Sequence, residues 1–204
     1  MRLSGWALTG WIALALLAAS AAFLVGAGTD VEGVRLWLRV TARTGVTLFL
    51  LAYVARPLRA VWRSDASAWL LRNRRYLGVA FAFSHALHGI AILWLSFGFR
   101  DTFQAQVDAA TLALGTLGYG FLAAMALTST DRTARWLSRR RWKQLHLTGM
   151  WLTWLIFLAT FGGALAEGVR ASYALPVAAL IAAAGLRFAA WQRGRTAQPS
   201  SSAA

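Results

Sequence analysis

The chain has 204 residues, 58% of them hydrophobic and 14% charged, with a mean hydropathy of +0.53. Soluble domains carry about 25% charged residues and under ~50% apolar ones, so the composition argues against a soluble enzyme. Basic residues outnumber acidic ones by 21 to 7, and all but Lys143 are arginines. They lie between long apolar stretches, as the loops of a membrane protein do, and do not form the basic face that would bind nucleic acid. The absence of cysteine excludes disulfides, iron–sulfur clusters, thiolate metal sites and covalent c-type haem. The length leaves no room for a nucleotide-binding domain beside a membrane bundle.

Six stretches approach the roughly 20 mostly apolar residues of a membrane helix. In chain order they are 6–27, 43–54, 76–97, 109–127, 145–165 and 171–188. The first resembles a signal peptide in having Arg2 before an apolar run, but its length and the five spans after it predict a retained helix. The second is short unless it begins near Leu36, and it then contains Arg39 and Arg43. Between spans two and three lie Arg56, Arg59, Arg63, Arg72, Arg74 and Arg75. Between spans four and five lie Arg132, Arg135, Arg139, Arg140, Arg141 and Lys143. The alternate loops are short and of mixed charge. The positive-inside rule puts the basic loops and both termini in the cytoplasm. Trp62, Trp69, Trp136, Trp142 and Trp191 fall near the predicted cytoplasmic ends, as interfacial anchors do. The predicted fold is an all-α integral membrane six-helix bundle. It forms one domain over 1–192, with a short polar cytoplasmic tail over 193–204.

The three histidines lie within or beside spans: His85 and His88 in span three, His146 at the start of span five. Ionisable residues at membrane depth are costly and mark candidate sites. A neutral imidazole offers a lone pair that can ligate haem iron. The i, i+3 spacing of His85 and His88 puts both rings on one helix face, flanked by Gly78, Ala82 and Gly89. Gly149 and Thr153 give His146 a similar small-residue face. Hydrogen bonding to a neighbouring helix would account for the same histidines without a ligand.

Two strings carry a resemblance. One is Arg74-Arg75-Tyr76-Leu77-Gly78-Val79, followed by Phe81-Ala82-Phe83 and His88. The other is Arg141-Trp142-Lys143-Gln144-Leu145-His146. Thr41-Ala42-Arg43-Thr44, Arg56-Pro57-Leu58 and the Thr-Ser-Thr at 128–130 add to it. Together they resemble the ferric-reductase-like transmembrane domain family. The resemblance implies a six-helix bundle that holds b-type haem and carries electrons from a cytoplasmic donor to an acceptor beyond the membrane. It implies one axial histidine from span three, matching His88. It implies two from span five, thirteen or fourteen residues apart, and the cytoplasmic-side member matches His146. The second would fall at Ala159 or Thr160, so this chain lacks it.

Counted from the basic residues that open each span, His88 lies about 20 Å along its helix and His146 about 8 Å along its own. The depth gap is thus about 12 Å, or about 8 Å for His85. Three arrangements follow: one haem held by His146 with His85 or His88, a haem on a single histidine with an open iron position, or a bundle without haem. The metal-ligating candidates are accordingly His88, His146 and His85, for one haem b or none.

Arg43, Arg74 and Arg75 are candidate cofactor-binding residues, for haem propionates or, at the cytoplasmic face, a flavin phosphate. No motif supports a flavin. Lipid snorkelling and topology explain the same arginines without a ligand. Ser84 and Thr148 flank histidines and are candidates for fixing a ring tautomer. Trp151 and Trp154 lie along span five. The Gly-Thr-Leu-Gly-Tyr-Gly at 115–120 lies inside an apolar span with no preceding strand, which suits helix packing and not a dinucleotide.

The leading functional expectation is a b-type haem subunit of the bacterial inner membrane. Its acceptor would be a periplasmic oxidoreductase or metal complex, and its electron donor a separate protein or membrane carrier. Lipid is the surrounding partner and no nucleic acid is expected. The alternative is a haem-free membrane scaffold or assembly partner that keeps the fold. A small transporter has only the span count behind it, since no carboxylate lies mid-span.

Overall fold

The computed structural model describes residues 3–169 and 171–196. These residues form helices and no strand. The helices are α1 (Gly5–Ala27), α2 (Val31–Val61), α3 (Asp65–Gly98), the short α4 (Arg100–Gln104), α5 (Ala109–Leu127), the short α6 (Asp131–Ala134), α7 (Arg139–Ala166) and α8 (Ala174–Thr196), with a 3-10 turn at Ala171–Tyr173. Six are long and apolar enough to cross a membrane: α1, α2, α3, α5, α7 and α8 with its leading turn. The all-α, six-span expectation holds.

Three boundaries differ from the sequence expectation, and capping explains them. α2 is far longer than 43–54. Asp30 caps it by accepting from the Gly33 N–H at 2.8 Å, and Arg35 pairs with Glu32 one turn on, at 2.7 Å. The helix therefore runs straight through Arg35, Arg39 and Arg43, which an apolar window penalises. α3 begins at Asp65 instead of 76, through a capping box between Ser64 and Ser67. α7 begins at Arg139 instead of 145, because the Ser138 hydroxyl accepts from the Arg141 N–H. Much of the basic sequence thus forms first helical turns and not loop. α8 likewise extends through Arg193 and Arg195, so it covers the first residues of the expected tail; 197–204 and Arg170 lie outside the described residues.

A left-handed Gly28 (φ 82°) turns the chain from α1 into α2. A Cβ on Gly33 would run into the Gly28 carbonyl, so the turn needs glycine at both places.

The long helices form a ring in which α2 packs on α3 and α8, α7 on α8 and α5, and α5 closes back on α3. α3 and α7 face each other across the interior without close backbone packing. Val46, Phe49, Tyr53, Phe81, Leu122, Met125, Phe157, Phe161, Leu180 and Ala183 fill that interior. α1 lies outside, hung on α3 by the Gly5 N–H donating to Asn73 Oδ1 (2.9 Å) and the Thr9 hydroxyl to the Tyr76 carbonyl (3.0 Å). Lipid is as apolar as a leucine side chain, so contacts such as these and close van der Waals fit hold the helices together. The outward faces of α1 and α5 remain exposed and apolar at Trp11, Leu14, Leu112 and Leu117. Trp62, Trp136 and Trp191 are exposed at the end that carries the basic segments.

Proline has no N–H, so Pro57 inside α2 leaves the Tyr53 carbonyl without its helical donor. Arg187 of α8 reaches that carbonyl from the neighbouring helix, Nη1 to O at 3.4 Å. Arg193 Nη1 meets the Val61 carbonyl at 3.1 Å with nearly the same residue offset, so α2 and α8 run in the same direction.

Candidate functional site

The structure brings His85 and His88 together on the interior side of α3. Their rings stack with centroids 5.3 Å apart. His88 Nδ1 lies 2.9 Å from the Thr41 hydroxyl of α2. That hydroxyl has one proton, and two carbonyls that can only accept converge on it: Trp37 at 2.8 Å and Leu38 at 3.1 Å. The hydrogen-bond network therefore assigns the hydroxyl proton to the carbonyls and makes His88 Nδ1–H the donor to Thr41. Nε2 of His88 is left with its lone pair.

His85 is packed by aromatic rings from three helices: Phe81 (4.9 Å between centroids), Phe157 (5.4 Å) and Tyr119 (5.8 Å). The Tyr119 hydroxyl donates to the His85 carbonyl at 3.1 Å. Gly45 of α2 lies against the ring, and a Cβ there would come within 2.7 Å of His85 Nδ1. That nitrogen is buried and has no hydrogen-bond partner. Buried polar atoms are nearly always paired, so an unpaired ring nitrogen in the ring interior is the kind of atom a ligand would engage.

His146 lies at a different level. Its Nε2 is 3.2 Å from the Thr128 hydroxyl, which donates to the Ala124 carbonyl at 2.7 Å. The argument made for His88 here assigns the ring proton to Nε2 and the lone pair to Nδ1. Trp142 stacks on the ring at 4.1 Å and donates to the Thr128 carbonyl at 3.0 Å. Close contacts fix the register. Cβ atoms on Gly118 and Gly149 would meet Ile156 Cδ1 at 2.7 Å and Met125 Sδ at 2.6 Å, and Phe81 of α3 packs on Phe157 of α7 at 6.0 Å. Phe157, which touches His85, is eleven residues beyond His146 on α7, or about 16 Å at ~1.5 Å per residue. The sequence arithmetic gave about 8 Å for the same pair because it aligned Arg75 with Arg141; in the structure Arg74 reaches Met150 instead, Nη2 to Sδ at 3.3 Å. Ala159 and Thr160, where the resemblance would place a second span-five histidine, are both exposed.

The arginine candidates are separated. Arg43 is exposed, donates to Ser172 at 2.9 Å and lies over the Tyr173 ring. Arg75 pairs with Asp131 at 2.6 Å and lies over Trp6 and Tyr76. Arg74 points inward to Met150. Ser84 is buried and pairs with Thr44 at 3.3 Å, while Thr148 is exposed. The hydroxyls that orient the imidazoles therefore come from neighbouring helices, Thr41 and Thr128. In the sequence these two residues stood out only within the strings that carry the family resemblance, with no link to the histidines, and Arg187 was passed over, although an arginine inside the sixth span is a signal in its own right. Trp154 donates to the Leu180 carbonyl at 2.9 Å, and Trp151 packs edge-on against Tyr53. Among the described residues no three His, Cys, Asp or Glu side chains gather to hold a metal ion by themselves.

Six apolar helices with two imidazoles packed between them define a multi-pass membrane protein. The family described as the ferric reductase like transmembrane component matches residues 9–157, and the chain belongs to that family. The chain is 32% identical over 125 residues to the protein-methionine-sulfoxide reductase heme-binding subunit MsrQ of Xanthomonas campestris pv. campestris (strain B100), covering 59% of this chain and 56% of the relative. It is 34% identical over 113 residues to the protein of the same name from Herminiimonas arsenicoxydans, covering 52% and 50%. The chain thus spans about half the length of the curated relatives it matches. No solved structure matches it.

Proposed function

We propose that this chain is a haem-binding electron-transfer subunit of a bacterial inner membrane. The observation that carries the reading is the α3 pair. His88 is held through Nδ1 by Thr41, so its Nε2 lone pair is free, and beside it is the buried, unpaired Nδ1 of His85. The family match supports it, as do the names of the relatives, which state haem binding. The donor chemistry suits haem iron: neutral imidazole nitrogens with no competing carboxylate, beside aromatic rings from α3, α5 and α7. His88 would ligate the iron, and His85, stacked beside it, would line the same site. A b-type haem supplies a one-electron carrier when bound. The protein's own part is to fix the His88 tautomer through Thr41, to keep water out with Phe81 and Phe157, and to seat the His85 ring against Gly45.

In this reading His146 does not share that iron, because about 16 Å of helix separates the two levels. The basic end is cytoplasmic by the positive-inside rule, with both termini there. The acceptor is a periplasmic redox protein or metal complex. Electrons come from a separate donor, since no flavin or nicotinamide motif is present. Arg43, Arg74 and Arg75 remain candidate cofactor contacts, with Arg74 alone pointing inward.

The test is an absorption spectrum of detergent-purified protein, oxidised and reduced. A Soret band that shifts on reduction and is lost in His88→Ala is expected. No Soret band after haem supplementation would overturn the proposal. A second reading, a haem-free scaffold, is favoured by the exposed Ala159 and Thr160 on α7. It predicts that His88→Ala and His146→Ala leave stability and partner binding unchanged.

A further inference from the structure

A second constellation lies nearer the basic end, on the His146 side of the bundle and away from the α3 histidine pair. Arg187 of α8 lies within the last span. Its guanidinium is 4.5 Å from the Tyr53 ring centroid and 5.3 Å from that of Trp151. One of its five N–H groups serves the carbonyl freed by Pro57. Arg74 comes from α3 to the same level, where its side chain finds only the thioether of Met150, a weak acceptor. Arg187 and Arg56 are close enough to Arg74 to repel it. Among the described residues the only ion pairs are Arg35 with Glu32 and Arg75 with Asp131, so these three cations share no carboxylate. The Tyr53 hydroxyl is buried, lacks a partner and lies within the field of Arg187.

Like charges converging at membrane depth, with an unpaired hydroxyl beside Arg187, call for an anion. The surroundings indicate which kind. Arg187 precedes Arg193, which sits at the end of α2, by six residues, or about 9 Å of helix. That is close enough to the membrane surface for an arginine and a headgroup to meet. Beside the cations, the outer face of α7 carries an open apolar groove lined by Leu147, Thr148, Trp151, Leu152, Trp154 and Leu155. Trp151 belongs to both the groove and the cation cluster.

We propose that this cluster is a binding site for an anionic phospholipid, with its phosphate between Arg187 and Arg74, the Tyr53 hydroxyl donating to it, and one acyl chain along the α7 groove. Charge complementarity selects the headgroup and the groove selects a lipid over a free anion. The site shares Arg74 with the candidate cofactor contacts but uses neither histidine of the α3 pair, and Arg187 lies outside the segment matched by the family.

The experiment uses the full chain, delipidated in detergent and then titrated with phosphatidylglycerol, phosphatidylcholine or inorganic phosphate. Bound lipid is counted by native mass spectrometry and stability is followed by thermal unfolding. Phosphatidylglycerol is expected to be retained and to raise the melting temperature, and phosphatidylcholine is not. Arg187→Gln and Arg74→Gln should each weaken retention by about tenfold or more, the loss of one charge-assisted contact. Arg74→Gln leaves the Arg187 cap on the Tyr53 carbonyl in place, so it tests the site where Arg187→Gln fails to fold. Arg141→Gln, on the exposed face of α7, serves as the surface control. Equal retention of both lipids, stabilisation by inorganic phosphate alone, or a loss in Arg141→Gln as large as in Arg74→Gln would each overturn the proposal.

Discussion

Replacing Thr41 by valine tests the tautomer argument directly. Thr41 is 3% exposed, and valine has nearly its shape, so packing is kept while the hydroxyl is lost. The His88 Nδ1–H then has no acceptor in a buried place. A neutral hydrogen bond contributes about 1 kcal/mol net, and a donor left unsatisfied costs about 1–3 kcal/mol. The ring also becomes free to turn or to move its proton to Nε2, which would remove the lone pair proposed to meet the iron. Changes in such supporting hydrogen bonds typically cost a metal site about 10–100-fold in affinity. Thr41→Ser keeps the hydroxyl and should restore both properties. Thermal unfolding reads the stability term. Haem retention and a spectroscopic redox titration read the ligand term. Were Thr41→Val to match the wild type in both, His88 would not be held through Nδ1 and the assignment would be wrong.

Three further outcomes follow from the geometry. His146→Ala should leave the spectrum of the α3 site intact while His88→Ala removes it; loss of the Soret band in both would mean that the two levels share one iron after all. Gly45→Ala places a methyl 2.7 Å from His85 Nδ1 in a tightly packed aromatic setting, so it should destabilise the protein by about 1–3 kcal/mol and perturb the spectrum, as read by thermal unfolding and absorption together. Asp108 caps α5, and its carboxyl is held below the usual carboxylate range by hydrogen bonds from Thr111, the N–H contact being 2.7 Å. A group depressed in the folded state stabilises above the ordinary carboxylate range and loses that effect as pH falls through its lower folded value. Protection of the first-turn amides of α5, relative to their intrinsic exchange rates, should therefore fall in strong acid, and Asp108→Ala should lower it at neutral pH and remove the part of its pH dependence due to this carboxylate.

Membrane helices are legible because a span is a local property. Twenty apolar residues can satisfy their own backbone in lipid and have few other folds available. Composition and hydropathy alone therefore gave the six spans and the all-α class, and the arginine-rich segments marked one end of the bundle. The histidines were visible for a related reason: an ionisable side chain in lipid is conspicuous wherever it stands. Helix ends were less legible, because Asp30, Ser64 and Ser138 cap α2, α3 and α7 inside sequence that an apolar window discards.

What each histidine does depends on residues far along the chain. Thr41 stands 47 residues from His88, and Thr128 comes from another helix than His146. Depth was likewise decided between helices. Gly149 seated against Met125 and Gly118 against Ile156 set how α7 slides on α5, which separates His146 from the α3 pair. Arg187 takes its meaning from Pro57, whose missing N–H matters only once α8 lies beside α2. Local chemistry names the groups that lipid would punish; packing between helices determines which of them meet.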